Sequence, residues 1–412
     1  MSPEVADRPL DEAGRARIEW ADAQMPVLRH VRERFTDERP LDGLVVGACL
    51  HVTAETANLV RALAAGGAEV ALCASNPLST QDDVAAALAD DDVAVFARAG
   101  ADSDTYAAHV SAVLDAGPRL VLDDGADLLV ALHERGVSQD FVGATEETTI
   151  GLVRMRKLQA AGRLACPVVA VNEARAERAF NDRYGTGQSA LDGIVRATNL
   201  LLASKLLVVF GFGPTGRGIA LRARGAGAAV VVCEVDPLRA LEARMEGYEV
   251  MPALEAAEYG DVFVTVTGNR NVLRREHFKL MRDGAVLANA GHFDVEIDLD
   301  ALREVAAGEP LQVLPLVEEY DVDGKRLHLL ARGRVVNLAA AEGHPAEVMD
   351  ISFALQALSA EWMVKQAGDL PVDVLGVPDE IDRSVARHKL ESLDVKIDVL
   401  TPEQERYLSS WE

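Results

Sequence analysis

The chain has 412 residues, 49% of them hydrophobic, and 66 acidic against 41 basic side chains give a formal charge of −25. That length exceeds one typical core and predicts two or three domains, each able to bury a sizeable interior. The charge argues against a nucleic-acid partner, no apolar run approaches the ~20 residues that cross a bilayer, and the opening Met1-Ser-Pro-Glu-Val-Ala-Asp-Arg-Pro9 lacks the form of a signal peptide, so no membrane association and a cytoplasmic setting are expected.

In chain order, residues 11–36 read as helical, and Leu44–Leu50, Glu69–Cys73 and Asp92–Phe96 as short buried strands with helical patterns between them. Leu120–Gly125 is a strand running into two acids and a glycine, and Val168–Asn172 is a fifth strand with a polar end. Ligands of such parallel sheets gather at the carboxyl ends of strands, where His51, Thr53, Asp124 and Asn172 fall. A polar segment, 173–188, leads to a long predicted helix, Ser189–Ala203. The four cysteines, Cys49, Cys73, Cys166 and Cys233, are far apart in or beside apolar runs, which fits core thiols rather than a metal site or a disulfide framework.

The most informative stretch follows, Val208-Val-Phe-Gly-Phe-Gly-Pro-Thr-Gly-Arg-Gly218. An apolar strand feeds Gly211-x-Gly213-x-x-Gly216 and then a helical pattern. In a dinucleotide site the first glycine permits the tight turn, the second lets pyrophosphate approach the backbone, and the third lets helix pack on strand. The phosphates would sit at the helix N-terminus. A second apolar run, Ala229–Glu234, ends in a carboxylate 23 residues after Gly211, close to the ~20 expected for the acid that holds an adenosine ribose. Glu234 is read as that acid, and a free acid there points to NAD. Strands at Val262–Gly268 and Ala285–His292 continue this unit, and a helix containing Phe353 lies in the last part, from about 346. The fold class is α/β, two Rossmann-like units with parallel sheets.

His51-Val-Thr-Ala-Glu55, Asn76-Pro-Leu-Ser-Thr-Gln-Asp82, Leu122-Asp-Asp-Gly125, Glu146-Glu-Thr-Thr149, Gly211–Gly218, Gly291-His-Phe-Asp-Val-Glu-Ile-Asp298 and Gly343-His-Pro345 together resemble S-adenosylhomocysteine hydrolase over nearly the whole chain. The resemblance implies a substrate domain from 1–180 and 346–376, an NAD domain at 188–342, a C-terminal segment at 377–412, hinges near 181–188 and 342–346, and a homo-oligomer, tetramer or dimer. In that family NAD oxidises the ribose 3′-hydroxyl, the ketone acidifies C4′–H, homocysteine leaves C5′, water adds, and the ketone is reduced to give adenosine. Carried over residue by residue, His51 and Asp124 correspond to groups near C4′ and C5′, and His292 to the pocket near the leaving group. Thr53, Glu55, His344, Met349 and Phe353 match residues around adenine, although an isolated Met or Phe at helical spacing reads as core. Glu147 and Thr148 match groups that bond the ribose hydroxyls. For NAD the positions are Gly211, Gly213, Gly216, Glu234, Thr267, Asn289 and Asn337.

One departure bears on chemistry. The family carries Lys-x-x-x-Asp-Asn before its Tyr-Gly, the Lys and Asp handling the 3′-hydroxyl proton, whereas this chain reads Glu177-Arg-Ala-Phe-Asn181-Asp182-Arg-Tyr-Gly185. No lysine lies between Lys157 and Lys205. A glutamate accepts a proton but supplies no positive charge, and Glu177 beside Glu147 would raise the pKa of one of them. Glu177, Asn181 and Asp182 therefore join His51, Asp124 and His292 as candidate catalytic residues. The altered pair favours a diverged enzyme that oxidises C3′ of an adenine nucleoside or nucleotide and reduces it from the other face, a 3′-epimerase. The alternatives are the hydrolase itself, and a catalytically silent regulator that binds NAD and a nucleoside.

Overall fold

A computed structural model describes residues 11–411; the opening residues 1–10, on which the signal-peptide reading rests, and the terminal Glu412 lie outside the described residues. The first sheet is built from β1 (Val45–Leu50), β2 (Glu69–Ala74), β3 (Ala94–Phe96), β4 (Leu120–Asp123), β5 (Gly143–Glu146) and β6 (Val168–Ala170). The second takes β7 (Leu206–Phe210), β8 (Ala229–Cys233), β9 (Glu249–Val250), β10 (Val262–Thr265), β11 (Ala285–Asn289), β12 (Leu311–Leu314), β13 (Val317–Val322) and β14 (Lys325–Leu330). A late strand, β15 (Val374–Gly376), returns to the first sheet beside β6.

The strand orders fix where ligands bind. The first sheet runs β15-β6-β5-β4-β1-β2-β3, all parallel, and its order reverses beside β1, between β1 and β4. In the second, β9-β8-β7-β10-β11-β14 are parallel and the reversal lies between β7 and β10, with β13 and β12 added antiparallel at the far edge. At each reversal the crossover helices diverge to opposite faces and leave a crevice at the strands' carboxyl ends. His51 and Asp124 follow β1 and β4; Gly211 and Val266 follow β7 and β10. Strands such as Val45-Val-Gly-Ala-Cys-Leu50 and Leu206-Leu-Val-Val-Phe210 are apolar throughout because helices cover both faces.

The helix Ala346–Lys365 carries the chain back from the second sheet to the first and is buried on nearly all sides, from Asp350 and Ile351 to Ala360 and Met363. A further helix, Asp379–Ser392, packs on it. Asp382 accepts the backbone N–H groups of Arg175 and Ala176, both at 3.0 Å, and Lys389 pairs with the buried Asp350 at 2.8 Å. This helix closes part of the first unit's core, with Val385 buried in it. The expected helix at 11–36 is two, Asp11–Ala23 and Pro26–Glu38, and the expected Ser189–Ala203 is Gly187–Thr198, stopped by Asn199 in the left-handed conformation (φ 54°). All four cysteines are free and buried. Among the described residues no helix is long and apolar enough to cross a membrane.

Candidate active site

The two crevices open into one cavity of about 790 Å³. From the first unit His51, Thr53, Glu55, Asp124, Glu147, Thr148, Asn181 and Asp182 line it; from the second, Gly213, Thr267, His292 and Asn337; from the returning chain, His344, Met349 and Phe353. Sequence positions up to 302 residues apart, from His51 to Phe353, thus converge on one space.

At its centre His51 Nε2 lies 3.6 Å from Asp124 Oδ2. His51 Nδ1 lies 2.6 Å from Ser79 Oγ, and Ser79 donates its own hydrogen to the Asn76 carbonyl at 2.9 Å. Nδ1–H is therefore the donor to Ser79, which leaves Nε2 as the proton acceptor. Burial lowers the His51 pKa, Asp124 opposing and His292 reinforcing the shift. Asp124 keeps Oδ1 buried with no hydrogen-bond partner, and His292 stands with its ring centroid 6.4 Å from that of His51. Gly125 has φ +109°, which favours glycine, and its lack of a Cβ, which would meet His292 Nε2 at 3.3 Å, also lets the histidine close on the Asp124 loop.

Behind this group lies an acidic cluster. Glu147 Oε2 accepts from Gln356 Nε2 at 2.6 Å, and Gln356 Oε1 in turn accepts from Thr145 at 3.1 Å. Glu177 is fully buried, accepts from Asn181 Nδ2, and stands behind Glu147 rather than on the cavity wall. Burial pushes both carboxyls up, Glu177 to about 8, and burial pushes Asp182 to about 6 against the pull of Arg178. Arg178 does not supply the missing positive charge: its side chain turns to solvent and pairs with Glu173 at 3.3 Å. The π-helical turn Arg178–Thr186 widens the backbone here and sets both Asn181 and Asp182 at the cavity.

On the adenine-matching side, Thr53 caps the helix Ala54–Ala65 and burial raises the Glu55 pKa. His344 bonds Thr186 Oγ1 at 2.8 Å and is pushed down to about 4 by burial, so it is a neutral ring at neutral pH. Thr148 spends its hydroxyl locally, donating to Glu146 Oε1 at 2.7 Å and accepting from Gly151 N at 2.9 Å.

The second unit fits a dinucleotide. A Cβ on Gly216 would stand 1.9 Å from Gly211 O, whereas one on Gly213 would meet only Arg239 Nη1, at 3.7 Å, leaving its backbone open to the cavity at the start of the helix Pro214–Gly225. Asn337 Oδ1 is buried without a partner on the cavity wall, a free acceptor for an amide donor. Gly211, Gly216, Glu234 and Asn289 stand off the wall. Glu234 accepts the N–H groups of Phe212 at 2.7 Å and Val235 at 2.6 Å, tying the β7 and β8 ends together. Asn289 is fully buried and uses its amide to hold Gly291, Phe293 and Gly333, which shapes the His292 loop. Reasoning from sequence missed Glu296, which accepts from Thr267 N and Oγ1 and Gly268 N at 2.8–2.9 Å and orders that wall. It also missed Ser79, although Ser79 lies in a quoted motif, and Gln356.

A family model described as S-adenosyl-L-homocysteine hydrolase matches residues 3–140, and one described as its NAD binding domain matches residues 182–343. NAD is accordingly the cofactor of the second unit. The chain is 57% identical to an adenosylhomocysteinase of Aquifex aeolicus, covering 100% of this chain and 99% of that one. It is 53% identical to an adenosylhomocysteinase of Gloeobacter violaceus, covering 99% and 96%, and 52% identical to one of Saccharolobus solfataricus, covering 100% and 99%. The chain belongs to the S-adenosyl-L-homocysteine hydrolase family.

Proposed function

We propose that the chain hydrolyses S-adenosyl-L-homocysteine to adenosine and homocysteine. The observation that carries this reading is 52–57% identity, over essentially full length, to proteins named for that activity. The retained grouping of His51, Asp124 and His292 at the meeting of the two crevices supports it.

Bound NAD supplies hydride acceptance and return at ribose C3′. Asn337 Oδ1 and the Thr267–Gly268 wall would hold its carboxamide end, and the Gly213 backbone its pyrophosphate. His344, Met349 and Phe353 form the apolar and neutral surroundings of the adenine. Glu147 receives the ribose hydroxyls. Neutral His51, with Nε2 free, accepts a proton on the C4′ and C5′ side, and the Asp124 carboxylate stabilises the imidazolium that results. Protonated His51 then returns that proton to the departing thiolate, with His292 beside it. Exposed apolar residues on and beside the helix Pro237–Met245, Val235 at 99%, Leu238 at 72% and Met245 at 77%, support a homo-oligomer.

A second reading, 3′-epimerisation of an adenine nucleoside or nucleotide, is favoured by the substitution of Glu177 and Asn181 for the family's Lys and Asp, which leaves the 3′-oxygen side without a cation. Proton NMR of the NAD-loaded chain with adenosine in deuterated water separates the two. Exchange at C4′ with retained ribose stereochemistry is expected of the hydrolase; a xylo-configured product would overturn it in favour of the epimerase, and no change in any ribose signal would count against both.

A further inference from the structure

We propose that Glu147 and Glu177 form a carboxyl pair that shares a single proton and takes the place of a cation-assisted base at the ribose hydroxyls. This rests on the reading of the cavity given above.

The geometry comes from how the four carboxylate oxygens are used. One oxygen of each residue has a neutral donor: Gln356 Nε2 for Glu147 Oε2, Asn181 Nδ2 for Glu177 Oε1. The other two, Glu147 Oε1 and Glu177 Oε2, are buried and have no partner. Two adjacent buried carboxylates with orphaned oxygens and no neutralising charge are costly when both are ionised, and a proton between them removes one charge and satisfies both oxygens. The residues that act most strongly on the pair are uncharged or acidic. The helix Ala346–Lys365 presents Ser352 and Gln356, both uncharged; the loop after β4 presents Asp124; the π-helical turn presents Asp182. Glu146 turns away to Gly125 N and Thr148. Asp124 acts on Glu147 and Asp182 on Glu177, and each adds to the pressure to retain the proton.

A pair holding one proton and one negative charge offers ribose both a donor and an acceptor. When the 3′-alcohol is oxidised, its O–H bond breaks and a new O–H bond forms on the ionised carboxyl; NAD, where bound, would supply the acceptor for the C3′ hydride. The pair thereby goes from one proton to two, and reduction of the ketone restores it. Glu147, on the cavity wall, is the acceptor, and Glu177 is a positioning residue that acts through it.

The test is a ¹³C NMR titration of protein labelled at glutamate Cδ, without substrate. A carboxylic-acid signal is expected to persist at pH 7, to be kept in Glu146→Gln, and to titrate at lower pH in the isosteric Glu147→Gln and Glu177→Gln alike. If all glutamates but Glu146 are ionised at pH 7 in the folded wild type, or if the signal titrates unchanged in both variants, the pair does not share a proton. Because no turnover is required, failure to release thiol from adenosylhomocysteine would overturn the proposed function and leave this result standing.

Discussion

Ser79 fixes the proton on His51: the hydroxyl stands 2.6 Å from Nδ1 and already donates to Asn76 O, so the ring must present Nε2 as its acceptor toward Asp124. Ser79→Ala frees the ring to take the other tautomer. The expected outcome is a fall of about tenfold in kcat with KM little changed and NAD content intact. An unaltered kcat and pH–rate profile would show that the tautomer is set elsewhere.

The buried Glu177 gives stability a definite pH dependence. Its carboxyl is held up to about 8 in the folded chain, from an ordinary value of 4.5, chiefly by burial. The folded state therefore binds the proton more tightly, and its contribution is fully present below 4.5 and lost as pH rises toward 8. Glu177→Gln removes the group that must ionise. Relative to wild type, the variant should gain at least about 1 kcal/mol between pH 5 and pH 8.5, read as melting temperatures at the two values. An equal difference at both pH values would contradict the assignment.

Gly213 and Glu234 separate a ligand-facing position from a framework one. Since a Cβ at Gly213 meets nothing nearer than 3.7 Å, Gly213→Val should fold and yet lose NAD affinity by at least about 100-fold, because the side chain occupies the pyrophosphate approach. Glu234→Ala should weaken NAD as well, while also releasing the Phe212 and Val235 N–H groups. Both are checked by NAD content after gel filtration and by titration of the stripped protein; unchanged retention in either variant would remove that residue from the cofactor site.

Lys389 tests whether the C-terminal helix belongs to the first unit. It neutralises Asp350, which is fully buried and also accepts Leu28 N at 2.8 Å. Lys389→Ala leaves that carboxylate unpaired and should cost about 3 kcal/mol, seen as a lower urea midpoint. A loss within measurement error would mean that the helix only rests on the surface.

The strands that carry the site were legible because burial on both faces leaves an uninterrupted apolar run, as in β1, β4, β7 and β10. β5 was not: Gly143-Ala-Thr-Glu146 has no large apolar residue and is a strand because it is held between β4 and β6. The β12–β14 meander alternates too weakly to read, and its edge strand is exposed at every residue. At the site, cavity-facing residues followed strand ends and glycines. Asn289 and Thr148 were harder, because their sequence context cannot say whether a polar side chain turns to a ligand or to its own backbone; both turn to the protein itself. The approach of Glu177 to Glu147 was legible from the substitution of glutamate for lysine, whereas the solvent-facing course of Arg178 required the structure.

The most direct measurement is thiol release from S-adenosyl-L-homocysteine by the NAD-loaded chain, followed continuously with a thiol reagent while adenosine is trapped by deamination. Sustained release of homocysteine, one for each adenosine formed, is expected despite the absence of a lysine at position 177. Reduction of the bound NAD by the substrate without release of thiol would contradict it, placing the chain among enzymes that oxidise C3′ but do not cleave the thioether.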